Sequence, residues 1–156
     1  MKPDFELIST PEGLGAILPK IHAAKMVALD TEFIRETTFY PILEIIQVAT
    51  EHEAWLIDYQ AFANRPCAEL EAFKKFMRDP SVIKILHAAQ GDQECFYTSM
   101  GIVASPTLDT AIAASLCGYG EGMGLGNLVK AVLDIQLKKG HARTNWSVRP
   151  LPKQLK

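Results

Sequence analysis

A chain of 156 residues with 48% hydrophobic composition is long enough to bury one core, and a second domain is not expected. No apolar run reaches the length that spans a bilayer, and the opening MKPDFELIST has neither the basic start nor the apolar stretch of a secretory leader, so the expectation is a cytoplasmic protein with no membrane partner. The net charge of −2 hides an asymmetry: Lys138, Lys139, Arg143, Arg149, Lys153 and Lys156 follow residue 137 with no acidic residue among them, and a basic end on an acidic body suggests a polyanionic partner.

Phe5 to Ser9 reads as a short strand. Thr10, Pro11 and Glu12 then supply an N-cap, a proline at the first helical position and an acid in the first turn, which predicts a helix to about His22. Met26 to Leu29 is an unbroken apolar run and predicts a core strand, buried on both faces, that ends at Glu32. Glu44 to Thr50 and Ala54 to Asp58 form an antiparallel pair across a turn at 51–53. Cys67 to Arg78 carries Leu70, Phe73, Phe76 and Met77 at helical spacing, and Asp79-Pro80 stops it.

VIKILHA gives a further strand, and Asp92 opens a helix through DQECFYTSM. IVASPTL is a strand or extended segment, after which Asp109 caps the helix TAIAASLC. The alternating glycines of GYGEGMGLG lack both the G-K-[ST] ending of a phosphate loop and the G-x-G-x-x-G of a dinucleotide site, so they are expected only to connect helices. The helix that follows places Leu125, Leu128, Val129, Val132 and Leu133 on one face. This order predicts a single α/β domain: a mixed five-stranded sheet flanked by helices, with a meander at its start.

Chemistry concentrates in VALDTEFIRE. Asp30 and Glu32 are two apart on a strand, so their carboxylates share a face about 7 Å apart, with a mutual repulsion of roughly 2–3 kcal/mol at an effective dielectric near 20. A basic side chain, a shared proton or hard divalent cations would offset that cost. Asp92 follows the strand that ends at His87. If that strand runs parallel to the first, Asp92 joins Asp30 and Glu32 at the carboxyl edge, where ligands of open α/β sheets collect. Three carboxylates there, with no obvious basic partner in the same motifs, favour a divalent-metal site. His87 reads as a base, a ligand or a hydrogen-bonded structural residue. The histidines lack zinc spacing, no G-x-S-x-G elbow occurs, and Cys67, Cys95 and Cys117 read as reduced core thiols.

LDTEF followed by YPILEIIQVAT, then LHAAQGDQECF, LDTAIAASLCG and ARTNWSVRPL, together resemble the ribonuclease D family of DEDD-type 3′–5′ exonucleases over nearly the whole chain. The resemblance implies a ribonuclease H-like fold and two divalent metal ions, Mg2+ or Mn2+. Asp30 would bridge them, Glu32 would bind the ion that activates water, and Asp92 would support the second. It also implies hydrolysis at single-stranded RNA 3′ ends, tRNA precursors among the candidates, with release of nucleoside 5′-monophosphates. Thr31, Phe33, Arg35, Tyr40, His87, Arg143 and Arg149 are the candidate substrate contacts, with Phe33 and Tyr40 offering stacking and the arginines backbone contacts. Core packing is the competing role for Phe33, and solvated surface charge for the arginines. The family's third motif, a Tyr and four residues later a fourth Asp, would fall just beyond RPLPKQLK, in a C-terminal helix expected to follow. No helicase-like RNA-binding domain of the HRDC type is expected within 1–156. A nucleic-acid-binding module that kept the fold and lost catalysis, and a 3′–5′ exodeoxyribonuclease, stay open alongside the exoribonuclease.

Overall fold

The structure, a computed structural model, describes residues 5–137 and 145–151. Strand β1 (Phe5–Ile8) leads into helix α1 (Pro11–Ala23). That helix starts where its residues say it should: Thr10 Oγ1 accepts the Gly13 N–H at 3.2 Å, and Pro11 takes a position that needs no donor. Strands β2 (Met26–Ile34), β3 (Ile42–Ala49) and β4 (Ala54–Asp58) form the meander, with Thr50 N–H donating to Glu53 O across the predicted turn. Helix α2 (Ala68–Met77), strand β5 (Ile83–Leu86), helix α3 (Gln90–Met100), strand β6 (Thr107–Asp109), helix α4 (Thr110–Leu116) and helix α5 (Leu125–Leu133) complete the order.

The sheet has six strands, in the order β1-β4-β3-β2-β5-β6, rather than the expected five. The extra strand is the three-residue β6, which pairs in parallel with β5 from Lys84↔Thr107 to Leu86↔Asp109. Only β3 runs against the others: β1 is parallel to β4, and β2 is parallel to β5. Consequently β2, β5 and β6 all present their carboxyl ends at one edge.

Helices α1, α2 and α3 cover a single face. Leu14, Ile17, Ile21, Phe73, Phe76, Cys95 and Phe96 pack there on Val27, Leu29, Ile46, Val48 and Ile57, and fully burying each large side chain stabilises the fold by about 2–3 kcal/mol. This corrects the expectation for β2, which alternates instead of being buried on both faces: Val27 and Leu29 are buried while Met26 is 51% exposed. On that second face the segment 145–151 lies over β3, with Trp146 and Leu151 packed on Ile45, Leu7 and Leu56. Arg149 fastens it, donating to Asp58 at 2.7 and 2.8 Å and to Glu44 at 3.0 Å. The three cysteines are free; Cys95 is buried, but Cys117 is exposed and is not a core thiol. Among the described residues no helix is long and apolar enough to cross a membrane.

Candidate active site

Alternation along β2 sorts the D-T-E motif onto two faces. Asp30 and Glu32 stand on the face opposite the helices, Asp30 reaching solvent and Glu32 half-buried. Thr31 turns the other way, is buried, and its Oγ1 donates to Asp92 Oδ1 at 2.6 Å. Its expected role in touching substrate therefore becomes one of holding Asp92. Asp92 is the third residue of α3 and not its cap, because the helix begins at Gln90 with Ala89 before it.

The turn that delivers Asp92 is held by Asp109. Ala88 adopts a left-handed φ of 55°, a conformation that costs a non-glycine residue of order 1 kcal/mol. Asp109 Oδ1 and Oδ2 accept the N–H groups of Ala88 and Ala89 at 3.0 and 2.8 Å, and Oδ1 also caps α4 through Ala111 N–H at 2.8 Å. Burial would raise its pKa, but these backbone donors hold the Asp109 carboxyl below the usual carboxylate range.

Register irregularity marks the same place. Glu32 faces Ile45 and Phe33 faces Leu43, so Glu44 is the extra residue of a β-bulge, a device that re-aims side chains beside sites. Gln47 Nε2 donates to Glu32 Oε1 at 3.2 Å. The indole of Trp146, also near, leaves its Nε1 buried without a hydrogen-bond partner.

The electrostatics are those of crowded acids. Burial, followed by the Asp92 charge, pushes Asp30 up to about 6. Burial and the Asp30 charge push Glu32 up to about 7, against a lowering pull from the Trp146 indole. Burial raises Asp92 as well, opposed by its bond from Thr31. None of the three takes part in any of the salt bridges among the described residues. No three His, Cys, Asp or Glu side chains among the described residues already gather around one point. The donors still fit a hard divalent cation, being carboxylate oxygens whose shared charge lacks a counter-ion among the described residues.

The other candidate residues divide. Phe33 lies over the first turn of α3, where a Cβ on Gly91 would meet its ring at 3.9 Å. Tyr40 is 59% exposed and stacks edge-on against Phe39, itself 80% exposed, with centroids 4.9 Å apart. Arg35 is engaged by Glu94 at 2.8 and 3.1 Å. His87 has both ring nitrogens occupied, Nδ1 with Thr110 Oγ1 and Nε2 with Met123 O, each at 2.9 Å, so it ties the glycine-rich connection to β5. Arg149 spends its guanidinium on Asp58, Glu44 and the Trp146 carbonyl. Arg143 lies outside the described residues. Gln47 and the Asp109 clamp join these only in the structure; in the sequence, the lone polar residue inside EIIQVAT is the available signal for Gln47.

Replacing Thr31 by Val removes the donor to Asp92 with little change of volume. We expect urea unfolding to show a loss of about 2 kcal/mol, the scale of a hydrogen bond to a charged group, with Thr31→Ser restoring most of it. Wild-type stability in Thr31→Val would show that the bond carries no weight.

The profile of the 3′–5′ exonuclease family matches residues 5–156. Ribonuclease D of Sphingobium indicum is 41% identical over 149 residues, covering 95% of this chain and 37% of that protein. The crystal structure of Escherichia coli RNase D, an exoribonuclease involved in structured RNA processing, superposes with a TM-score of 0.89 at 33% identity, covering 97% of this chain and 39% of that one. Trypanosoma brucei RNase D, solved in complex with RNA U12, shares the fold with a TM-score of 0.85 at 18% identity, covering 97% and 56%. The chain spans well under half the length of the curated relatives it matches. With the family profile running along nearly all of it and ribonuclease D sequences aligned with it throughout, the chain belongs to the 3′–5′ exonuclease family.

Proposed function

We propose that this chain is a 3′–5′ exoribonuclease domain that hydrolyses the terminal phosphodiester of single-stranded RNA and releases nucleoside 5′-monophosphates. It would act in the cytoplasm with two divalent ions, magnesium or manganese, and the 3′ ends of tRNA precursors are among its candidate substrates. One observation carries this reading: Asp30 and Glu32 stand side by side on an open sheet face, with Asp92 at the same edge and no cation among the described residues paired to any of them. RNA appears in the description of the Trypanosoma brucei relative, and RNA processing in that of the Escherichia coli enzyme, which supports RNA as the substrate class.

Asp30, Glu32 and Asp92 would hold the ions. Bound there, the ions reverse the sign of an acidic site, so that an anionic phosphodiester can enter and a water can be activated for in-line attack. The protein's own work is positional. Thr31 fixes Asp92, and Gln47 fixes one oxygen of Glu32. Phe33, lying on the first turn of α3, offers a wall for the terminal nucleotide, while Phe39 and Tyr40 offer a stacking platform just beyond it.

Base–aromatic stacking contributes roughly 1–3 kcal/mol per base. The Phe39→Ala, Tyr40→Ala double variant should therefore raise KM for single-stranded RNA by about tenfold or more, with kcat changed much less. Because both rings are exposed, the melting temperature should hardly move; an unchanged KM would remove the platform from the substrate path.

The deciding experiment is a denaturing-gel time course on 5′-labelled RNA with Mn2+, with Mg2+ and with EDTA. A ladder shortening from the 3′ end only when metal is present is the expected result. An intact band in every lane, with RNA still bound, would replace the enzyme by a binding module, and equal degradation of a DNA oligonucleotide would overturn the choice of RNA.

A further inference from the structure

We infer that Trp146 is a positioning residue for Glu32: its indole N–H, unpartnered in this structure, is the second donor available to that carboxylate, and with Gln47 it would fix the orientation in which Glu32 receives a divalent cation. This inference rests on the exonuclease reading above.

Geometry carries it. Trp146 is 8% exposed, and its Nε1 is the one buried side-chain nitrogen or oxygen among the described residues without a hydrogen-bond partner. A buried orphaned donor is costly and calls for an explanation. The ring packs on Ile45, and Ile45 is the direct cross-strand partner of Glu32, so the indole sits over the next strand from the carboxylate and on its side of the sheet. Gln47 engages only Oε1 of Glu32, which leaves acceptor capacity on the carboxylate. The indole's lowering pull on Glu32 agrees with this placement.

The seating of Trp146 is built, not incidental. Arg149 donates to the Trp146 carbonyl and forks onto Asp58 and Glu44. Glu44 is the bulge residue adjacent to Ile45. The irregularity that re-aims the site edge of β2 and β3 therefore also anchors the segment that brings the indole. Packing on Ile45 and Leu151 requires a large apolar ring, and Phe would satisfy it; the N–H has use only if an acceptor faces it. Partners of this kind orient metal ligands, and removing one typically weakens metal affinity by roughly 10–100-fold.

The chain has two tryptophans, Trp55 and Trp146, so an amide-type NMR spectrum of the full chain should show two indole N–H signals. They are assigned by the one lost in Trp146→Phe or, if that chain does not fold, in Trp55→Phe. In EDTA the Trp146 signal should shift when Glu32 is replaced by Gln, and in wild-type protein Mn2+ should broaden it more strongly than the Trp55 signal. Free-Mn2+ electron paramagnetic resonance should give about tenfold weaker binding for Trp146→Phe. If Mn2+ binds and the Trp146 signal ignores both Glu32→Gln and Mn2+, the inference is overturned. Unchanged Mn2+ affinity in a folded Trp146→Phe chain overturns it equally. If wild-type protein binds no Mn2+ at all, the exonuclease reading fails, and that outcome is distinct from either of these.

Discussion

Asp30→Asn should lower the rate of RNA shortening by about a thousandfold or more, which corresponds to roughly 4 kcal/mol of lost transition-state stabilisation. The amide keeps the shape of the side chain and discards its charge, so it removes a proposed carboxylate ligand without opening a cavity. Asp30 forms no hydrogen bond or ion pair with another side chain among the described residues that its loss would break. Its charge instead raises Glu32 and is itself disfavoured by Asp92. Folding should therefore survive, and RNA affinity should persist through the stacking surface proposed for Phe33, Phe39 and Tyr40. Single-turnover gels at matched, circular-dichroism-verified protein concentrations check this. Wild-type turnover in Asp30→Asn would show that Asp30 takes no part in catalysis and would displace the site from β2.

The placement of the candidate site residues was partly legible before the fold, and the boundary of legibility is physical. Asp30 and Glu32 could be read because their spacing is local and a strand's period of two is a property of any strand. Asp92 needed one topological step, the parallel pairing of β2 with β5, which the structure contains. The same period should have removed Thr31 from the substrate face, since it lies between two residues already assigned to the open one. Arg149 was beyond reach: its partner Asp58 is 91 positions away, and nothing local distinguishes a guanidinium in a part-buried ion pair from one awaiting a phosphate. His87 was readable only as a choice between roles, and the choice depended on Met123, 36 positions on. The strand count stops at five because IVASPTL stays open between strand and extended segment, and the three residues of β6, bonded to one neighbour, leave little periodicity to decide it. For β2 an unbroken apolar run predicts two buried faces, yet small Ala28 and half-exposed Met26 show that such a run tolerates one open face.

Stripped of metal, the protein should become less stable as pH rises from about 5 to about 8, and replacing its site acids should cancel that loss. Asp30 and Glu32 lie near 6 and 7 in the folded chain, against ordinary values of 3.8 and 4.5. Below the ordinary values both states are protonated and the groups make no difference. Between the two sets of values the unfolded chain has released protons that the folded chain still holds, so stability falls with pH until the folded groups have also ionised. Opposite behaviour comes from groups such as Asp109, whose lowered pKa makes its contribution disappear in acid; the comparison must therefore be made against a variant and not across pH alone. In EDTA, Asp30→Asn, Glu32→Gln protein should melt above wild type at pH 8 and match it near pH 4. Because both side chains retain solvent contact, the pKa shifts are discounted to a combined effect of roughly 1–2 kcal/mol, or about 3–6 °C for a domain of this size. Saturating Mn2+ should reverse the order at pH 8, raising the wild-type melting temperature and leaving the variant where it was, since only the ionised acids bind the ion. Superimposed wild-type and variant curves in EDTA would mean that the two carboxylates are not in conflict, and with that the physical case for a cation between them would fall.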